Sequence, residues 1–188
     1  MTRGESSLST LREEDIVLPR VRTGNDVVRL APSDLDGMRK AGRLAAETLD
    51  HITAFVKPGV STNALDAECH AFVLARGGVL APLFYMGFPK AVCTSVNHVV
   101  CHGIPSDKLL HEGDIVNIDV TVVVDGWHGD SSRMYFVGDV PRKAARLCEV
   151  TYEAMMLGIA TVRPGATTGD IGHRSEEHTS ELQSHSFI

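Results

Sequence analysis

The pattern of apolar and polar positions is sharpest around residues 115–136. Ile115 to Val124 is a β-branched run, and the Asp125-Gly126 pair behind it is a two-residue turn signal, so the segment predicts a β-hairpin. With that turn, Val124 pairs with Trp127 and Asp119 lies opposite Ser132. Asp130 is one diagonal step away and on Asp119's face, because strand side chains alternate with period two. Upstream the period changes to that of a helix. Leu35, Met38, Gly42, Ala45, Leu49, Ile52 and Val56 form one stripe, with Ser33 as the N-cap, Asp36 in the first turn and Lys57-Pro58-Gly59 as the stop. A second helix is expected from Ser61 or Thr62 to Gly77-Gly78, burying Leu65, Cys69, Phe72 and Val73. A third starts at Pro141, a favoured first helical position, and runs to about Val162 before Arg163-Pro164-Gly165. Residues 79–102 read as strand and loop, and residues 1–27 as a polar extension with short extended pieces near Ile16 and Val27.

A faint repeat runs through this pattern. Lys57-Pro58-Gly59-Val60-Ser61-Thr62 aligns with Arg163-Pro164-Gly165-Ala166-Thr167-Thr168, and Glu47, Ala54 and Val56 then fall on Glu153, Ala160 and Val162. Basic-Pro-Gly after a helix is also common punctuation. The sharper reading is a duplicated unit of helices and sheet with its second copy cut short.

Composition narrows the class. At 188 residues and 43% hydrophobic, the chain is long enough for one domain with a real core. A net charge of −6 and the lack of a basic run argue against nucleic acid as a partner. No apolar run approaches a membrane span, and Glu5, Glu13, Glu14 and Asp15 do not suit a targeting peptide, so a cytoplasmic setting is expected. Cys69, Cys93, Cys101 and Cys148 form no CxxC pair and read as reduced, small buried hydrophobes.

The chemistry rests on the hairpin. Two acids on one face of an apolar ribbon repel unless a cation lies between them, and a divalent metal pair is the economical answer. Asp119 sits inside a β-branched run where strand propensity disfavours it. His102 lies in Cys101-His102-Gly103-Ile104-Pro105. His98, His111 and His128 have only proximity in their favour, and Trp127 and Tyr135 are expected on the face opposite the acids.

Residues 28–172 resemble type I methionine aminopeptidases. VCHGIP, EGDIVNIDVT and DGWHGDSSRMY stand in that family's order and spacing, and the MRKAGRLAAE helix and KPGVST stop belong to the same likeness. The resemblance implies the α+β pita-bread fold, with pseudo-symmetric halves around a curved antiparallel sheet, the first half complete here and the second truncated. It implies metal-dependent removal of the initiator methionine from nascent polypeptides whose second residue is small. Two divalent ions (cobalt, manganese, iron or zinc) would act there by acidifying a shared water. It assigns Asp119 and Asp130 as metal ligands, the latter bridging, and His102 as the residue contacting the scissile amide. Tyr85, Phe88 and Cys93 would wall the methionine pocket, with Pro82 where many bacterial members carry cysteine. It places a histidine and two glutamate ligands, and a second catalytic histidine, in a half this chain lacks, so the fragment is expected to bind metal weakly and to be inactive. A ribosomal encounter is an expectation from the family alone. The alternatives are a non-catalytic pita-bread binding protein and, ranked lower, a prolidase-like or creatinase-like hydrolase.

Residues 174–185, RSEEHTSELQSH, read residue for residue like one frame of a common sequencing-library adapter. The expected division is therefore an extension over 1–27, the truncated domain over 28–173, and an artefactual tail over 174–188.

Overall fold

The structure, a computed structural model, describes residues 30–184, with side-chain exposure through Glu176. The extension expected over 1–27 lies outside the described residues. The chain divides after Gly138 into two compact units.

In the first unit, helix α1 (Asp34–Ile52) buries Ala41, Leu44, Ala45, Thr48, Leu49 and Ile52. This corrects the expected stripe, because Leu35, Met38 and Gly42 are exposed. The cause is the closeness of the helix to the sheet. A Cβ on Gly37 would lie 2.3 Å from the Trp127 ring, so the small residues Gly37, Ala41 and Ala45 form the contact line and the larger ones turn outward. Ser33 stands at the N-cap without a capping bond, since its φ of −64° and ψ of −30° are helical rather than extended. Asp34 instead accepts the Ala31 N–H at 2.7 Å.

A 3₁₀ turn (Thr53–Phe55) and Gly59, at φ +86°, lead to α2 (Thr62–Leu74), where the Ser61 hydroxyl caps the Ala64 N–H. Leu65, Cys69 and Val73 are fully buried, whereas Phe72 is partly exposed between the His51 ring and the Arg76 guanidinium. The Asp66 carboxylate accepts the N–H groups of Ala91 and Val92, fixing the approach to β2.

The sheet is antiparallel and comprises β1 (Val79–Leu80), β2 (Cys93–Val96), β3 (Ile115–Val124) and β4 (Trp127–Phe136). Strand β3 is central, with β4 along one edge and β2 and β1 sharing the other. Asp125 and Gly126 both have positive φ, as a tight hairpin turn matched to strand twist requires. The register is the expected one, Val124 on Trp127 and Asp119 on Ser132. Val116, Ile118, Val120 and Val122 are fully buried in the core that α1 joins, and Tyr135 on β4 donates its hydroxyl to Leu49 O at 2.7 Å.

The second unit holds α3 (Arg142–Ala160) and α4 (Thr168–Ser184). Pro141 is the N-cap residue rather than the first helical one, so the helix starts one residue later than expected, and it stops two residues short of Val162. Gly158 faces Ile171, where a Cβ would come within 3.3 Å of the isoleucine methyl. The internal repeat is visible in the local backbone. Helices α1 and α3 are both 19 residues long, Gly59 and Gly165 have φ of +86° and +89°, and Ser61 and Thr167 each cap the helix that follows.

Candidate metal centre

The hairpin register puts Asp119 and Asp130 on the same face of the ribbon, the face opposite α1. The two carboxyl groups are near neighbours in contact, one diagonal step apart on the ladder. The Asp119 carboxyl is raised above its ordinary value, by burial first and then by the Asp130 charge and that contact, while His102 acts in the opposite sense.

Strand β2 closes one side. Cys93 is the register partner of Asp119, and burial, followed by the charges of Asp119, Cys101 and Asp130, pushes its thiol up to about 11. Cys93 is thus a neutral wall at neutral pH. Cys101 is exposed, which corrects its expected burial.

His102 reaches this face through the loop beyond β2. It has φ +53°, a left-handed conformation that few residues other than glycine adopt and that histidine tolerates better than most. The next residue is locked against β2, where Thr94 N–H donates to Gly103 O at 2.8 Å and Gly103 N–H donates to Ser95 Oγ at 3.2 Å. A Cβ on Gly103 would lie 2.2 Å from Thr94 O, so only glycine fits. Asn97, at φ +54°, braces the opposite end of the loop by binding the Asp114 carboxylate and the Ile115 N–H.

The other expected residues are placed less closely. Tyr85 is 68% exposed and Phe88 half-buried, both beyond the 3₁₀ turn that contains Pro82. His98, His111 and His128 are exposed, His128 on the face of the acids. Trp127 and Tyr135 lie on the opposite face, as expected. Ser95, Gly103 and Gly129 also build the site, and in the sequence only the two glycines, next to His102 and Asp130, signal this. Gly129 is demanded by α1, since its Cβ would fall 2.3 Å from the Ala41 carbonyl carbon.

The donor set suits hard or borderline divalent ions, because both donors are carboxylates. Among the described residues no three His, Cys, Asp or Glu side chains converge on one point, so the chain supplies part of a coordination shell. No helix among them is long and apolar enough to cross a membrane.

Comparison with known proteins follows the same lines. Residues 36–187 match metallopeptidase family M24. The methionine aminopeptidase of Rickettsia prowazekii (strain Madrid E) is 62% identical over 145 residues, which is 77% of this chain and 56% of that protein. The crystal structure of methionine aminopeptidase from Rickettsia prowazekii superposes with a TM-score of 0.80 at 59% identity, covering 81% of this chain and 62% of that one. The Xaa-Pro dipeptidase from Bacillus anthracis shares the fold, with a TM-score of 0.71 at 21% identity over 81% of this chain and 41% of its own. The chain spans little more than half the length of the methionine aminopeptidase of Rickettsia prowazekii.

Proposed function

The chain belongs to metallopeptidase family M24, with the α+β pita-bread fold, and from that premise we propose that it is the amino-terminal part of a methionine aminopeptidase. The observation that carries this reading is the pair Asp119 and Asp130 on one face of the hairpin with His102 held beside it. In the whole enzyme Asp119 and Asp130 would be ligands to two divalent ions (cobalt, manganese, iron or zinc). Such ions supply Lewis acidity and an acidified water. His102 donates a hydrogen bond to the scissile amide as charge develops there. Cys93, with Tyr85 and Phe88 once substrate orders the connection that carries them, would supply an apolar wall suited to a thioether side chain. The substrates are nascent polypeptide N-termini with a small second residue, met in the cytoplasm. Nothing among these residues speaks for ribosome binding.

The isolated chain is a weak metal binder, because two carboxylates leave most of each ion's shell to water. For the same reason it does not turn over. Residues 174–188 are taken as foreign to the parent, although the family match runs past that boundary to residue 187. Reading the parent transcript beyond the codon for His173 tests this.

The decisive experiment titrates the 188-residue chain with Mn²⁺ by calorimetry or electron paramagnetic resonance and assays it on Met-Gly-Met. Weak binding that disappears in the Asp119→Asn/Asp130→Asn double variant, with no peptide cleavage, is expected. Undiminished binding in the double variant overturns the site. Cleavage at a whole-enzyme rate overturns the assignment of the chain as an inactive part.

A further inference from the structure

We propose that Ser95 is the positioning residue that sets His102 over the acid pair, working through the backbone of Gly103. Strand β2 pairs Cys93 with Asp119 and Ser95 with Asn117, so the side chains of Cys93, Ser95 and Asp119 share one face of the sheet. Ser95 is 4% exposed, and its hydroxyl oxygen takes the Gly103 N–H at 3.2 Å. The Gly103 carbonyl is held separately, by the Thr94 N–H at 2.8 Å. These two bonds pin the peptide on each side of the Gly103 α-carbon, the first of them the His102–Gly103 peptide itself, and glycine at 103 lets the loop lie directly on Thr94. His102 is the residue immediately before this clamp, and its φ of +53° is a conformation the surroundings must hold in place. Its proximity to Asp119 follows from where the clamp puts it. Without the hydroxyl, the Gly103 N–H loses its partner, the left-handed turn relaxes, and the imidazole leaves the acids while the strands stay paired.

This inference rests on the proposed metal-peptidase reading for its purpose, and its test separates the two. In the 188-residue chain, nuclear magnetic resonance follows the Gly103 amide, the His102 ring and the amides of Asp119 and Ser132. In Ser95→Ala the Gly103 amide is expected to lose its protection against hydrogen exchange, and the His102 ring its proximity to Asp119, while β3 and β4 amides keep their protection. A merely structural role would move all of these together. Ser95→Thr, which keeps an acceptor hydroxyl, is expected to restore the wild-type pattern. Gly103→Ala is expected to displace His102 with Ser95 intact. Dilute Mn²⁺ added to the wild type broadens both the acid amides and the His102 ring, and in Ser95→Ala the acid amides alone. Absence of broadening at the acids speaks against the metal reading and leaves the exchange result to judge Ser95. Unchanged Gly103 protection and an unmoved His102 ring in Ser95→Ala overturn the proposal. In a whole enzyme with this motif, the same substitution is expected to lower kcat about tenfold to a hundredfold with little change in KM, because a misplaced catalytic group costs rate rather than ground-state binding.

Discussion

The two faces of the β3–β4 ribbon are built from the same twenty residues and obey opposite rules. On one, Val116, Ile118, Val120 and Val122 are sealed in the core, and a helix lies so near that Gly129 has no room for a side chain. On the other, Asn117, Asp119 and Thr121 are half-buried, and Asp130, Ser132 and Met134 are exposed. The covered face holds the fold together through close packing. The bare face places two acids side by side, and burial together with the Asp130 charge raises the Asp119 carboxyl above its ordinary value. The comparison shows that a strand can assign stability and chemistry to alternate residues, with the acid face buried only at its ends, at Ile115 and Val123.

Substitutions sharpen this contrast, the largest effect first. Gly129→Val forces side-chain atoms into the Ala41 backbone, which cannot give way as a side chain would. A loss of about 3 kcal/mol or more is expected, measured by urea unfolding, whereas Ser132→Val on the bare face should change stability by less than about 0.5 kcal/mol. Equal effects would break the distinction between the faces.

Tyr135→Phe is expected to cost about 1 kcal/mol, through loss of the buried hydrogen bond to Leu49 O. Burial raises the Tyr135 hydroxyl from 10.0 to about 12. A group raised in the folded state contributes stability that is complete below its unfolded value and fades as pH climbs through its folded one. The wild type should therefore lose stability between about pH 10 and 12 by a step that Tyr135→Phe lacks, as alkaline unfolding curves will show.

The smallest effect has the opposite sign. Asp130→Asn removes the repulsion on Asp119 and should stabilise the metal-free chain by up to about 0.5 kcal/mol while weakening Mn²⁺ binding. A destabilised Asn variant in metal-free buffer would show that the two acids support each other rather than compete.

The hairpin was legible in the sequence down to its register, because the turn type and the period-two pattern are local and both fix the same pairing. The phase of α1 was only partly legible. Periodicity finds an apolar stripe, but the choice of Gly37, Ala41 and Ala45 as the contact line depends on how near the sheet comes, which no local pattern encodes. The His102 clamp was hidden for the same reason, since Ser95 and Gly103 are eight positions apart and meet only across the outer edge of β2. The Asp pair could be placed from the turn alone, whereas the conformations of Tyr85 and Phe88 arise in a connection with no repeating pattern to read.

Gly129 has a consequence for heredity. Every base change at the first or second position of a glycine codon that still encodes an amino acid brings in a Cβ atom, and the Ala41 carbonyl stands where that atom would go. The codon before Asp130 is therefore closed to drift by the fold, whatever selection acts on the acid itself. Lineages that abandoned the chemistry while keeping the architecture would be free to lose Asp130 and still be obliged to retain the glycine.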